Sequence, residues 1–387
     1  MNILIYKWDI FPYNDIINEL KEQGHLIDVL AFEVASHIKD VLFEEKLAEY
    51  IKTGKYDIVF SVNYFTTISN VCHKYQIQYI SWTCDAPLLS MRNPSVYNSE
   101  NTIYVFDKKE YEYFHGIGAD TVKYLPLAGA PVRIRNLIDK KYNTNAKYLY
   151  DISFVGNLYD KNRYDEMVNA LPPYLCGYMD AAIEAQLNVS GGNILNIMLT
   201  DDIVDSISQY INIQSESDSF ADLKLHFSTS VLSYKAASVM RTNILNSLGE
   251  IFNVHLFTTS NTDNLKKVTV HPPVKYLDEM PLVFAFSKIN LNMTIPNIEN
   301  GIPLRVFDVL SAGGFLMTDY RLELENLFDI GKDLVVYDGI EDLTTKIQYY
   351  LKHDKERELI AANGFDKLQK LHTYKHRIHT ILDHCAR

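Results

Sequence analysis

The stretch INLNMTIPNIENGIPLRVFDVLSAGGFLMTDY, residues 289–320, decides the fold. Its ends, INLNMT and GFLMTDY, are short apolar β-rich runs, and the segment between them reads as one helix. Asn300 is a good N-cap, and Pro303 at the first helical position gives up no hydrogen bond it would have made. Gly313 and Gly314 stop the helix after Ala312 and allow a left-handed turn into the next strand. Strand, helix and strand in this order form a βαβ unit, which means a parallel sheet.

The same alternation extends in both directions. NVHLFTT, VTVHPPV and DLVVYDG are further strands of this sheet, and YDISFVGNLYD, from residue 150, opens it. Between about 160 and 250 the chain instead reads as mostly helical: YLCGYMDAAIEAQLNVSGGNILNIML is one long pattern and VLSYKAASVMRTNILNSLGE another. This region is expected to be a helical insertion after the domain's first strand. The first 130 residues hold their own series of strands, NILIYKW, LIDVLAF, DIVFSVN, QYISWTCD and TIYVFD, separated by helical patterns. The closing residues, from 341, read as successive amphipathic helices punctuated at Gly364.

The expected fold class is therefore α/β, with two Rossmann-like domains. The boundaries are 1–148 for the first, 149–370 for the second, and 371–387 for a C-terminal helix that braces the first. A length of 387 residues suits two domains of this size.

Composition excludes several function classes. A formal net charge of −12, from 37 basic and 49 acidic residues, argues against nucleic acid or an anionic membrane surface as the main partner. The four cysteines, Cys72, Cys84, Cys176 and Cys385, are scattered, with neither metal-ligand pairing nor a disulfide framework. No run of 18 apolar residues spans a membrane, and MNILIYKWDIF lacks the features of a secretory signal. A cytoplasmic location is expected.

Ligands of open α/β sheets bind outside the carboxyl ends of the strands. The helix from 303 begins at such an edge, where free N–H groups and the helix dipole favour an anion such as a diphosphate. Gly301, in the Gly301-Ile302-Pro303 turn, lets backbone approach a ligand closely. Arg305 and Asp308, three apart, could clamp a phosphate and accept sugar hydroxyls; the same spacing equally gives an ordinary intrahelical ion pair.

The run SKINLNMTIPNIENGIPLRVFDVLSAGGFLMTDYRLELENLFDIGKDLVVYDG and the helical sequence after it, to about residue 378, resemble the C-terminal half of bacterial GT-B glycosyltransferases of the spore-maturation-protein-like group. DISFVGN looks like that group's first C-domain strand, and SWTCDAP resembles a W-x-x-D-x-P element of the N-terminal half. The resemblance implies an enzyme that moves a sugar from a nucleotide-sugar donor to an acceptor. In retaining GT-B enzymes two glutamates eight positions apart flank this loop, the second contacting the nucleotide ribose. Here Asp308 takes the second place, while the first falls on Asn300, with Glu299 one residue off.

The resemblance implies further donor contacts. Gly156 and Asn157 end a strand where a GT-B domain brings backbone to the diphosphate, and Arg163 follows as a phosphate cation; glycine there is also ordinary turn punctuation. HPPVKY, residues 271–276, looks like the loop that accepts a nucleobase, with Val274 and Tyr276 beside the ring, or is a plain Pro-rich loop. Asp85 in SWTCDAP is the candidate general base, or a turn residue before proline. Trp8 and Asp9 are weaker acceptor-site candidates.

His372, His376 and His379 stand at helical spacing without a carboxylate to complete a metal set, and read as a polar helix face. There is no Asp-x-Asp triplet at a strand end, and Asp201 and Asp202 sit in helical sequence. Transfer is thus expected to need no metal or other cofactor, with helix dipole and Arg305 meeting the phosphate charge. The expected partners are a nucleotide-sugar donor, UDP-linked, and a protein or glycan acceptor. Two alternatives remain: a sugar-nucleotide epimerase of the same architecture, and a non-catalytic nucleotide-sugar-binding scaffold.

Overall fold

The computed structural model describes residues 1–8, 13–36, 39–141, 147–211 and 219–385. The chain forms two compact units: Met1–Leu127, a short segment ending at Asp222 and the chain from Tyr374 make one, and Ala128–Ile213 with Leu223–Thr373 the other. Each is built on a six-stranded, wholly parallel sheet, the expected α/β class.

In the first unit the strands are β1 (Asn2–Tyr6), β2 (Leu26–Leu30), β3 (Ile58–Val62), β4 (Gln78–Trp82), β5 (Asn101–Val105) and β6 (Val122–Tyr124), in the order β2-β1-β3-β4-β5-β6. The chain builds outward in one direction from β1 and in the other from β3, so the topological switch point lies between these two strands. Every residue of β3 is buried, as the centre of a sheet covered on both faces requires. Tyr6 meets Phe43 and Phe65 edge-on, with centroids 4.9 and 5.1 Å away. β6 lies outside the strands read from sequence: VKY is too short to show a period.

The helix Tyr374–Cys385 belongs to this unit and packs against the helix Tyr13–Glu22. Arg377 Nε donates to the carbonyls of Pro126 (2.9 Å) and Leu127 (3.2 Å), and burial lowers its guanidinium pKa to about 10. The Tyr104 hydroxyl lies 2.7 Å from His384 Nδ1.

The second sheet contains β7 (Tyr150–Val155), β8 (Val254–Phe257), β9 (Thr269–His271), β10 (Ser287–Asn292), β11 (Leu316–Asp319) and β12 (Val335–Tyr337), ordered β12-β11-β10-β7-β8-β9. Its switch point lies between β7 and β10. Asn290, fully buried on β10, ties the layers: its Oδ1 accepts from Ser153 Oγ (3.0 Å) while its Nδ2 donates to the carbonyls of Phe284 and Phe315.

Between β7 and β8 the described chain is helical and builds a core of its own around Leu175, Met179, Leu195, Phe227 and Leu232. The long pattern read over 174–199 is two helices, Pro173–Leu187 and Leu195–Met198. Gly191 between them has φ +72° and a Cα so close to the Tyr320 ring that a Cβ would sit 2.8 Å from it. The last helix of the region, Ser233–Gly249, is entered through a π-helical turn, Phe227–Leu232.

Gly364 does not punctuate the C-terminal helices. The helix Asp354–Leu371 runs straight through it, and a Cβ there would stand 2.2 Å from the Asp333 carbonyl oxygen. The glycine serves close packing of helix on backbone.

Candidate functional site

The helix after β10 is Leu304–Ser311, one position later than read, with Pro303 in the cap position and Ala312 after its end. Asn300 is not its N-cap. Pro303 is extended (φ −67°, ψ 152°), so the chain turns into the helix only beyond it, and Asn300 instead accepts Glu323 N–H at its carbonyl (3.3 Å). Gly301 and Ile302 are buried in this turn, and Gly313, at φ +69°, makes the left-handed exit.

On this helix Arg305 Nη1 lies 3.3 Å from Asp308 Oδ2, so the intrahelical pair is present. It belongs to a larger group. The Tyr276 hydroxyl donates to Asp308 Oδ1 at 2.6 Å, while the Arg305 guanidinium reaches the Met280 sulfur and lies over the Phe284 ring, 5.3 Å from its centroid. Asp308 is only 5% exposed, and each of its oxygens holds one named donor. Residues 276, 305 and 308, expected beside base, phosphate and ribose, thus converge in space. Val274 is half-buried in the preceding loop, whose Lys275 N–H is held by Glu279 Oε2 (2.8 Å).

Gly156 and Asn157 follow β7 at the switch point. Asn157 Oδ1 accepts from Ser260 Oγ (3.0 Å) and Tyr159 N–H (2.5 Å), which folds the turn back on the end of β8. The Asn157 carbonyl accepts from Arg241 Nη1 at 2.5 Å, and the other terminal nitrogen of Arg241 donates to the Met293 carbonyl, just beyond β10, at 2.5 Å. Arg163 is exposed, opens the short helix Arg163–Met167 behind the Asn162 cap, and lies 3.2 Å from His226 Nε2. Burial, and then the Arg163 charge, lower the pKa of His226.

Arg241 escaped the sequence reading. Its signal was an arginine in the apolar face of a helix, in line with Ala237, Leu245 and Leu248, all of which are buried.

In the first unit, Asp85 follows β4 and is exposed, its Oδ2 taking a 2.6 Å hydrogen bond from Asn63 Nδ2. Asn63, buried just beyond β3, has φ +61° and also accepts Cys84 N–H at Oδ1 (2.8 Å). A left-handed, non-glycine residue that orients a carboxylate is the kind of local strain that accompanies functional loops. Trp8, after β1, donates Nε1–H to the Val62 carbonyl (2.9 Å), which places it at the same switch point; Asp9 lies outside the described residues.

A cavity of about 330 Å³ opens at the carboxyl ends of β11 and β12, walled by Met240 and Ile244 and floored by the buried pair Asp319–Arg321 (3.0 Å). None of the residues assigned from sequence lines it. His372 is not part of a polar helix face: it is buried at the end of helix Asp354–Leu371, with Nε2 3.1 Å from the Leu327 carbonyl. Among the described residues no three His, Cys, Asp or Glu side chains gather as a metal site, and no helix is long and apolar enough to cross a membrane.

Residues 241–383 match the glycosyl transferase-like family, a span that begins at Arg241 and includes Tyr276, Arg305 and Asp308. No curated protein matches the sequence. Among solved structures, the chain is similar to a UDP-forming α,α-trehalose-phosphate synthase from Burkholderia xenovorans, with a TM-score of 0.57 and 10% identity over 100% of this chain and 98% of that one. It is also similar to a sucrose-phosphate synthase from Thermosynechococcus elongatus (TM-score 0.54, 9% identity, 99% and 98% covered). A third is HepE from Anabaena in complex with UDP-glucose (TM-score 0.52, 9% identity, 99% of both chains). The fold is that of these GT-B glycosyltransferases, and the carboxyl-terminal part of the chain is similar to the glycosyl transferase-like family.

Proposed function

We propose that the protein transfers a sugar from a nucleoside-diphosphate sugar, UDP-linked, to a hydroxyl of a protein or glycan acceptor, without a metal, and that it belongs to the spore-maturation-protein-like group. The observation that carries this reading is the meeting of Tyr276, Arg305 and Asp308 at the carboxyl edge of a doubly wound sheet, inside the segment that matches a glycosyltransferase domain. HepE, a neighbour in fold, is known in complex with UDP-glucose, which supports the choice of nucleotide.

In this scheme Asp308 holds the ribose hydroxyls and Tyr276 with Val274 borders the base. The turn Asn300-Gly301-Ile302 and Asn157 bring backbone N–H groups to the diphosphate, Gly156, whose own N–H is held by the Phe257 carbonyl, lets the chain pass close to it, and Arg163 is an outer cation. Arg305 and the start of helix Leu304–Ser311 stabilise the negative charge that grows on the leaving diphosphate, where preorganised donors lower the barrier most. Asp85, oriented by Asn63, takes the acceptor proton.

The test is calorimetric titration of the protein with UDP, GDP and uridine, followed by incubation with UDP-sugars and mass spectrometry of acceptors. UDP binding and a sugar-mass increment on an acceptor are expected. Donor conversion with no acceptor present would favour the epimerase; absence of any nucleotide binding would sink the reading.

A further inference from the structure

Arg241 is 8% exposed, and its partners among the described residues are carbonyl oxygens and rings: Asn157 O, Met293 O, and the faces of Phe154 and Tyr159 at 5.3 and 4.8 Å. Among the described residues no carboxylate is in ion-pair contact with it, and its Nε, like those of Arg92, Arg321 and Arg357, lacks a hydrogen-bond partner. Of the other deeply buried arginines, Arg92, Arg321 and Arg357 each pair with an acid, Glu110, Asp319 and Asp354 respectively, while Arg377, which also donates to two carbonyls, belongs to the first unit and lies on no strand end of the second sheet. Taking a guanidinium out of water without a counter-charge is costly, and carbonyl dipoles offset only part of that cost.

Its place explains why the cost is borne. The two carbonyls it holds lie just beyond β7 and β10, the strands that flank the switch point of the second sheet. That crevice is where an open α/β sheet takes its ligand. The turn at Asn157 and the segment from Thr294 to Gly301 start from the two carbonyls, so one side chain sets the spacing of both.

We infer that Arg241 is a positioning residue for an anionic diphosphate: it braces the two strand ends against each other and supplies their crevice with a positive charge that no acidic side chain cancels. The inference rests on the proposed nucleotide-sugar reading, and it brings the helical region between β7 and β8 into the donor site. The ligand it implies is defined by charge as well as shape. A nucleoside without phosphates gains nothing from it, whereas a nucleoside diphosphate gains the full field in a site of low dielectric.

The test compares UDP with uridine by calorimetry in the wild type, Arg241→Met and Arg241→Lys, with melting curves of each. In Arg241→Met, UDP affinity is expected to fall ~10-fold or more while uridine affinity stays within ~2-fold. Arg241→Lys, which keeps the charge on a single compact ammonium, is expected to fall between, and it serves as the test if the methionine variant does not fold. Equal losses for UDP and uridine, or an unchanged UDP affinity, would overturn the inference while leaving the donor reading intact. A wild type that binds uridine no less tightly than UDP would overturn it as well, and a wild type that binds neither would remove the donor reading and this inference together.

Discussion

The two switch points are built from different materials. Beside the first, beyond the ends of β3 and β4, an exposed carboxylate, Asp85, takes a hydrogen bond from Asn63, which also accepts Cys84 N–H. At the second, between β7 and β10, the buried Arg241 ties two strand ends, and along the same sheet's edge the half-buried Tyr276 and Arg305 close on the buried Asp308. An exposed acid suits proton transfer with changing partners. A rigid, desolvated set suits recognition of one invariant group, because hydrogen bonds there are stronger and their loss costs more.

The contrast can be broken from either side. Asp85→Asn is expected to cost the most, lowering turnover by ~10²–10⁴-fold with UDP affinity unchanged, as loss of a general base does; full turnover would remove Asp85 from the chemistry. Next, Asp308→Ala removes the carboxylate that accepts the Tyr276 hydroxyl and pairs with Arg305, and UDP binding is expected to weaken ~10- to 100-fold. Calorimetry would show it, and an unchanged affinity would move the ribose contact elsewhere.

The smallest effect concerns pH. His255 and His271, 2.9 Å apart on β8 and β9, both have pKa values lowered from 6.5, chiefly by burial; at His255 the His271 charge adds to the shift and Asp151 opposes it. The Tyr150 and Phe257 rings complete their surroundings. A lowered folded-state pKa means stability that is complete above the unfolded value and is lost as pH falls through the folded one. The melting temperature of the protein should therefore drop as pH falls below about 6.5. His271→Gln should reduce that slope without abolishing it, since His226 shares the sign of the shift; an unaltered slope would exclude the pair as its source.

Much of this architecture is legible in the residues because apolar runs of five or six residues, divided by helical sequence, specify a parallel sheet almost regardless of detail. The convergence of Tyr276 with Asp308 could be anticipated only through a resemblance, since 32 residues separate them and no period links them. Other features depend on what the chain meets in three dimensions. Gly364 reads as a helix stop until the Asp333 backbone is seen against it, and Asn300 reads as a cap until Pro303 is seen to be extended. Arg241 was hidden for a related reason: a charged residue in an apolar stripe looks like an irregularity until both of its carbonyl partners, far apart in sequence, are in place.

The π-helical turn Phe227–Leu232 bears on how such an arrangement can be changed. Such a turn holds one residue more than the α-helix it interrupts, and one residue corresponds to about 100° of rotation for everything beyond it. A single added codon at that turn can therefore swing the face of helix Ser233–Gly249, and with it Arg241, onto two strand ends that did not themselves change. New chemistry at a site can arise in this way from a length change at a distance, and the record of that step would be a gap in an alignment and not a substitution.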